Sequence, residues 1–341
     1  MKKKTMTLLM AASITVAMLA GCGSDGSAVE GTTYKVGIVQ FVDDASLNQI
    51  ESAIEKELDA KAAELGVTFD YSDYTYNGQA DSTVLNQIAT ELIASKVDVI
   101  VPIATPAAMI MQNATEDNQI PVVFSAVSDP EGSGLVASNS APGANITGTS
   151  DALNTEAVMD LIFAANPNIS KVGLLYSKSE DSSRLPVEVA KAYCEAKGVA
   201  VVEKTGTTND EVSLAADALI AEGVEAIFTP TDNTVMTAEL AIYEKFIEAG
   251  IPHYCGADSF ALNGAFLGYG VNYEELGTAT ADIVVEILVN GADPASIAVV
   301  TLDNGIATVN TETAQAIGLD YSMFADICAE LKEITTAEEF E

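Results

Sequence analysis

The 341-residue chain contains no tryptophan, one histidine (His253), one arginine (Arg184) and four cysteines, Cys22, Cys194, Cys255 and Cys328. Each scarcity excludes something. Apart from Cys22 the cysteines are an odd set without C-x-x-C spacing, which argues against a disulfide framework and against a zinc site. Cys194 falls in a predicted helix and Cys255 in a predicted strand, where the ordinary role is that of a small buried hydrophobe. A lone histidine in the run Ile251-Pro252-His253-Tyr254-Cys255-Gly256 suits a structural residue better than a catalyst. No G-x-S-x-G, P-loop or G-x-G-x-x-G motif stands at a strand–helix junction, so no catalytic machinery can be named and no cofactor or metal is expected. Positive charge is scarce as well: 15 Lys plus Arg face 50 Asp plus Glu, a formal charge of −35. Such a chain repels nucleic acid and anionic lipid. With 48 % hydrophobic residues it is nevertheless a folder and not an acidic disordered tail.

What is present begins with a leader. Lys2, Lys3 and Lys4 precede an apolar run from Met6 to Ala20, a secretory signal over residues 1–22 that is too short to span a bilayer. Its ending, Leu19-Ala20-Gly21-Cys22, resembles a bacterial lipobox, which implies that Cys22 becomes the lipidated first residue of the mature protein. Residues 23–33 open with the small, polar Gly23-Ser24-Asp25-Gly26-Ser27 and suit a flexible tether. Loss of the three leader lysines takes the formal charge to about −38. The protein is thus expected to be extracytoplasmic and held to the membrane by a lipid alone. Roughly 310 residues follow, more than one ordinary hydrophobic core, so two domains are expected.

Strand and helix patterns alternate through both halves. In the first, strands are predicted over 34–41, 67–74, 97–103 and 121–127, and helices over 47–65, 83–94 and from Pro106 onward. The second half restarts with a helix over 155–165, strands over 171–177, 199–204, 224–230 and 251–256, and helices over 187–197, 212–221 and 234–249. Later come a helix over 276–288, short extended pieces at 297–302 and 305–310, and a helix capped by Thr311 that runs to Ile317. Residues 320–341 read as helical and acidic. Alternation of this kind means parallel sheets with right-handed crossovers. The pattern predicts an α/β protein of two doubly wound, Rossmann-like lobes joined by several crossings. One lobe takes residues 34–149 plus about 274–300, and the other 150–273 plus about 303–341.

The order of short motifs along almost the whole mature chain resembles the ABC importer substrate-binding proteins of the periplasmic-binding-protein type I fold, in the tryptophan/tyrosine or general amino-acid branch. Those motifs are Val36-Gly37-Ile38-Val39-Gln40-Phe41, Thr105-Pro106-Ala107, Phe124-Ser125-Ala126-Val127-Ser128-Asp129-Pro130, Gly148-Thr149-Ser150-Asp151, Thr231-Asp232-Asn233 and Tyr273-Glu274-Glu275-Leu276-Gly277. The sequence departs from the pattern at Phe41-Val42-Asp43-Asp44, where related chains often carry a histidine. The resemblance implies a monomer that captures a small amino acid-type ligand by hinge closure and passes it to a membrane permease.

In two-lobed α/β proteins ligands lie between the carboxyl ends of the two sheets. The strongest such junction is Val97 to Asn113, a β-branched run ending in Thr105 as expected N-cap and Pro106 at the first helical position. Candidate contacts from the first lobe are Phe41, Asp43, Thr105, Pro106, Ala126, Val127, Ser128 and Asp129. The second lobe offers Ser177, Glu180, Ser183, Thr231, Asp232, Asn233, Asp258 and Ser259, while Thr149, Ser150 and Asp151 would lie in the first crossover. With one arginine in the chain, a ligand carboxylate is best met by helix N-termini at Thr105 and Ser128. A ligand ammonium would meet Asp232, Asp258 or Glu180, Asp232 foremost because it stands directly between a strand and a helix. A sugar or nucleoside ligand, or a sensory role, uses the same strand ends; the missing tryptophan platforms rank a sugar second, and an enzyme third.

Overall fold

Buried β-branched runs alternating with amphipathic segments fold into two parallel-dominated sheets of seven strands each. The computed structural model describes residues 31–302, 304–337 and 339–340. The expected signal, Cys22 and tether residues 23–30 lie outside the described residues.

The first lobe opens with β1 (Thr33–Gln40), α1 (Ala45–Leu65), β2 (Thr68–Asp70), β3 (Thr75–Asn77) and α2 (Ser82–Ser95). It continues with β4 (Val99–Ile103), α3 (Thr105–Thr115), β5 (Val122–Phe124) and β6 (Ile146–Ser150). The chain then crosses to α4 (Thr155–Ala165), β7 (Lys171–Tyr176), α5 (Asp181–Lys197), β8 (Ala200–Thr205) and α6 (Asn209–Ala221). The same lobe adds β9 (Ala226–Thr229), α7 (Asn233–Ala249), β10 (His253–Cys255), α8 (Asp258–Leu262) and β11 (Leu267–Gly270). It returns for α9 (Tyr273–Leu288) and β12 (Val300–Thr301), and crosses a third time into β13 (Ile306–Asn310), α10 (Thr311–Ile317) and β14 (Glu330–Ile334). The first sheet runs β12-β6-β5-β4-β1-β2, with β3 also beside β1; the second runs β14-β13-β11-β10-β9-β7-β8. All pairs are parallel except β11 with β13.

β4 is buried at every position, as its β-branched run predicts for a strand covered on both faces. Asp44 caps α1 by accepting from the Ser46 and Leu47 amides, and Gly66 ends that helix in left-handed backbone (φ 68°). Gly277 lets α9 lie directly on α1: a Cβ there would stand 2.5 Å from the Ile50 carbonyl oxygen. The hydroxyls of Ser125, Thr149 and Thr280 lie 2.8–3.2 Å apart and pin α9 to the first sheet. The side of the second sheet bearing Leu219, Ile227, Val235 and Phe246 belongs to one apolar cluster with the first lobe's core. A separate cluster around Phe228, Tyr254, Phe266 and Phe324 fills its other side.

Several elements differ from expectation, each for a physical reason. The strand expected over 67–74 is two strands, broken by a turn in which the Tyr74 amide donates to the Tyr71 carbonyl. The expected strand over 121–127 stops at Phe124 because Ala126 takes a left-handed backbone (φ 54°). α5 begins at Asp181, ahead of the expected 187, and carries Pro186 inside it with its ring buried; a proline there leaves one helical hydrogen bond unmade. Thr311 is the first residue of α10, whose cap is Asn310, accepting from the Thr313 amide. Thr105 likewise is helical, and the cap position of α3 is Ala104 with φ 81° and ψ 152°. The tail expected to be helical forms β14, laid parallel along β13 from Glu330 opposite Ile306 to Ile334 opposite Asn310. Pairing with a strand already in place overrides local helix preference there.

Candidate ligand-binding site

Six helices start where strands of the two sheets end, and the opening residues of all six meet in one cavity between the lobes. α1 contributes Asp44, Ser46 and Leu47; α3 contributes Ala104 and Thr105; Ala126 and Ser128 follow β5, and Asp151 follows β6. Facing them are Ser182 of α5, Thr231, Asp232, Asn233 and Met236 at α7, and Ala257, Ser259 and Phe260 at α8, with Tyr273 of α9 between the lobes. The remaining space is about 20 Å³, room for a single water, because the lobes touch around it. Deep in the cleft the Ser46 hydroxyl donates to Asp258 Oδ1 at 2.5 Å and accepts from the Ser259 amide at 3.2 Å. At the rim Arg184 Nη2 donates to the Gly132 carbonyl at 2.9 Å and lies 4.0 Å from Asp129 Oδ2.

The acids around the cavity are in different states. Asp232 accepts from the Val235 amide through Oδ1 and from the Ser177 amide and Ser183 hydroxyl through Oδ2. Glu180 stands behind it, accepting from Asn233 and Thr234. Burial, then the Asp232 charge, raises the Glu180 pKa, and burial raises that of Asp232 as well. Asp44 uses Oδ1 for the two α1 amides, while its buried Oδ2 has no partner. Burial pushes the Asp44 carboxyl up to about 6 against the pull of its amides and of the nearby Ser259 hydroxyl, and the Asp258 charge adds to the rise. Asp151 accepts from the Ser128 hydroxyl at 3.0 Å, and burial likewise lifts it to about 6. The hydroxyls of Ser182 and Ser259 are also buried without a partner.

Main chain forms the floor on the first-lobe side. Ala104 and Ala126 both have positive φ, 81° and 54°, in regions a side chain ordinarily avoids. They are linked through the Ala104 amide, which donates to the Ser125 carbonyl at 2.9 Å. No side chain caps α3, so its first-turn amides face the cavity without the acceptor that Asp44 gives α1. On the other lobe His253 lies behind Phe260, their rings edge to face at 6.3 Å. Thr229 holds its Nε2 at 2.7 Å and Glu239 its Nδ1 at 3.0 Å, a buried structural arrangement.

Of the residues singled out from the sequence, Thr105, Ala126, Ser128, Asp151, Thr231, Asp232, Asn233 and Ser259 line the cavity together. Ser177, Glu180 and Ser183 stand behind Asp232 as its partners and neighbour, and Asp258 receives the Ser46 hydroxyl. Thr149 belongs to the hydroxyl cluster under α9, and Asp129 holds the Gly132 amide at the rim. Phe41 and Val127 are in the first-lobe core, Pro106 occupies the first turn of α3, and exposed Asp43 accepts from Asn48. Sequence reasoning passed over Asp44, Ser46, Leu47, Ser182, Met236, Phe260 and Tyr273. A usable signal existed for Asp44, the second acid of an Asp-Asp pair before a helix, where a capping role was the natural reading.

Residues 35–325 match the family described as ABC transporter substrate binding protein. The chain belongs to that family. A tyrosine-binding protein of Clostridioides difficile (strain R20291) is 31 % identical to this substrate-binding protein over 328 residues, 93 % of either chain. A Streptococcus pneumoniae domain in complex with L-Trp is 30 % identical, covers 88 % of this chain and all of its own, and superposes with a TM-score of 0.80. A substrate-binding protein with adhesive properties from Clostridium difficile, in its ligand-free, open structure, is also 30 % identical, covering 89 % of this chain and 100 % of that one, with a TM-score of 0.67. At equal identity the better match is to the L-Trp complex, in keeping with lobes that here touch across the cleft. The fold is that of the type I periplasmic binding proteins. The family binds solutes outside the cytoplasm for an ABC permease. Among the described residues no helix is long and apolar enough to cross a membrane.

Proposed function

We propose that this substrate-binding protein captures an L-amino acid with an aromatic or other apolar side chain, closes on it and delivers it to its permease. In this reading it acts as a monomer, carries no catalytic site, and is anchored to the cell membrane by a lipid on Cys22. One observation carries the ligand class: Asp44 Oδ2, Ser182 Oγ and Ser259 Oγ are buried in the same interlobe cavity without a well-formed hydrogen bond, the Ser259 hydroxyl lying close enough to Asp44 to lower its pKa. Buried polar groups require partners. A carboxylate oxygen and two hydroxyls left in that state match an ammonium and a carboxylate on one small molecule.

The ammonium goes to Asp44 with Asp151 beside it. The carboxylate goes to the first turn of α3, at Thr105, and to the Ser182 and Ser259 hydroxyls. Leu47, Met236, Phe260 and Tyr273 receive the side chain. Ser128, Thr231 and Asn233, expected from the sequence as contacts, complete the wall, and Asp232 shapes it. Because the ligand's groups draw on both lobes, binding stabilises the closed arrangement. The tyrosine-binding relative and the L-Trp-bound one support an aromatic side chain.

The chain's lack of tryptophan makes the test direct. Excited selectively, L-Trp is the sole indole in the sample, and its emission shifts to the blue on entering the cleft. Saturable binding of L-Trp or L-Tyr, confirmed by calorimetry, is expected. Tight binding of a pentose or nucleoside with no response to any amino acid would overturn the reading.

A further inference from the structure

The charged side chains that line the cavity, Asp44, Asp151 and Asp232, are all acids, and all are at least nine-tenths buried. Asp258, half-buried, adds a fourth carboxylate just behind Ser259. Among the described residues no lysine, arginine or histidine faces them from the cavity wall. Arg184 is engaged at the rim, and His253 is held behind Phe260 by Thr229 and Glu239. Lys332 of β14 acts on Asp258 from outside the cavity. The Ser182 hydroxyl, nine-tenths buried in the cavity wall without a partner, points to a ligand independently of the cluster's charge, and Asp44 Oδ2 in the same cavity makes no well-formed hydrogen bond.

Resting on the amino-acid reading above, we propose that recognition here is anchored on the amine, so that aromatic amines without a carboxylate form a second ligand class and aromatic acids without an amine are excluded. An ammonium relieves the mutual repulsion of buried carboxylates that no cation of the cavity wall neutralises. The ligand carboxylate, by contrast, meets neutral donors only, hydroxyls and helix amides, while the same aspartates repel it. Removing the carboxylate therefore costs neutral-donor hydrogen bonds and relieves a repulsion. Removing the ammonium costs the one attraction between full charges and leaves the repulsion in place.

The test compares L-Tyr, tyramine and 3-(4-hydroxyphenyl)propionate, and in parallel L-Trp, tryptamine and indole-3-propionate, on the full folded protein by calorimetry at pH 7.5, a value set about 1.5 units above the two cavity acids near 6. The amines are expected to bind within about a hundredfold of their amino acids, and the acids at least about a thousandfold more weakly. Asp44→Asn keeps an oxygen to cap α1 and is expected to abolish amine binding; Asp151→Asn is a second variant lowering it should the first not fold. An acid that binds as well as or better than its amine overturns the inference, as does an amino acid that binds when neither analogue does. If no amino acid binds but the amines do, the amino-acid reading fails and amine anchoring stands. If nothing binds, both fail.

Discussion

Asp44 and Asp232 occupy equivalent places on opposing jaws. Each follows a strand, caps a helix and borders the same cavity, yet their surroundings give them different work. Asp232 is surrounded by donors of its own lobe: two amides and a hydroxyl fill both oxygens. Asp44 spends one oxygen on its helix, and its other oxygen gets no hydrogen bond from its own lobe, with only the Ser259 hydroxyl of the opposite lobe nearby. A carboxylate at a strand end is therefore not a ligand group by position. It becomes one when its own lobe leaves it under-supplied.

The sharpest way to break this comparison is Asp44→Asn. Amino-acid affinity is expected to fall at least about a hundredfold, the loss of one partner of a buried charge pair, while the ligand-free melting temperature holds or rises because a buried charge is removed; calorimetry and thermal unfolding read the two quantities. Asp232→Ala should do the reverse. It strands the Ser177 and Val235 amides and the Ser183 hydroxyl, so the unfolding free energy is expected to drop by about 2–3 kcal/mol while the correctly folded fraction loses less than about tenfold in affinity. Equal effects of the two variants on binding would erase the distinction.

Lowering the pH separates fold from binding in one protein. Asp44 and Asp151 protonate near 6 in the native state but near 4 when unfolded. The native state thus binds protons that the unfolded chain releases, and stability rises as pH falls from 8 toward 5. The acids held below their ordinary values, such as Glu203 and Glu225, stay charged over that range. Affinity should move the other way, weakening by about tenfold per pH unit below 6 as the carboxylates lose their charge. A ligand-free melting temperature that falls from pH 8 to pH 5 would contradict the burial of these groups.

Arg184→Ala gives the smallest effect. The rim contact is half exposed and worth at most about 1 kcal/mol, so ligand release measured by stopped flow should quicken by a factor of about 5 or less. Added salt should shrink the difference. A larger change would make the rim, and not the Ser46–Asp258 contact deeper in, the principal tie between the lobes.

These contrasts also mark what the sequence makes legible. The β4–α3 junction announces itself through Val99 to Ile103 and Pro106, and Thr105 does reach the cavity. Asp232 can be placed at a strand end, but the donors that satisfy it come from Ser177 and Ser183, about fifty residues away in the chain, so its role is invisible locally. In the Asp43-Asp44 pair the choice rests on the register of α1: starting at Ala45, the helix turns Asp44 inward and leaves Asp43 in solvent. α8 is too short, at five residues, for periodicity to reveal it. β14 exists because β13 offers it an edge, a long-range fact that local propensity cannot carry.

Ala104 and Ala126 give the cleft a property of another kind. The surface against which the ligand's polar end rests is built from peptide groups whose course does not depend on any large side chain, whereas Leu47, Met236 and Phe260 border the space for the rest of the ligand. Substitutions among those three can retune the cleft for rings of different size or polarity while the docking point at the base of α3 stays where it is. A scaffold so divided can change its diet without rebuilding its grip.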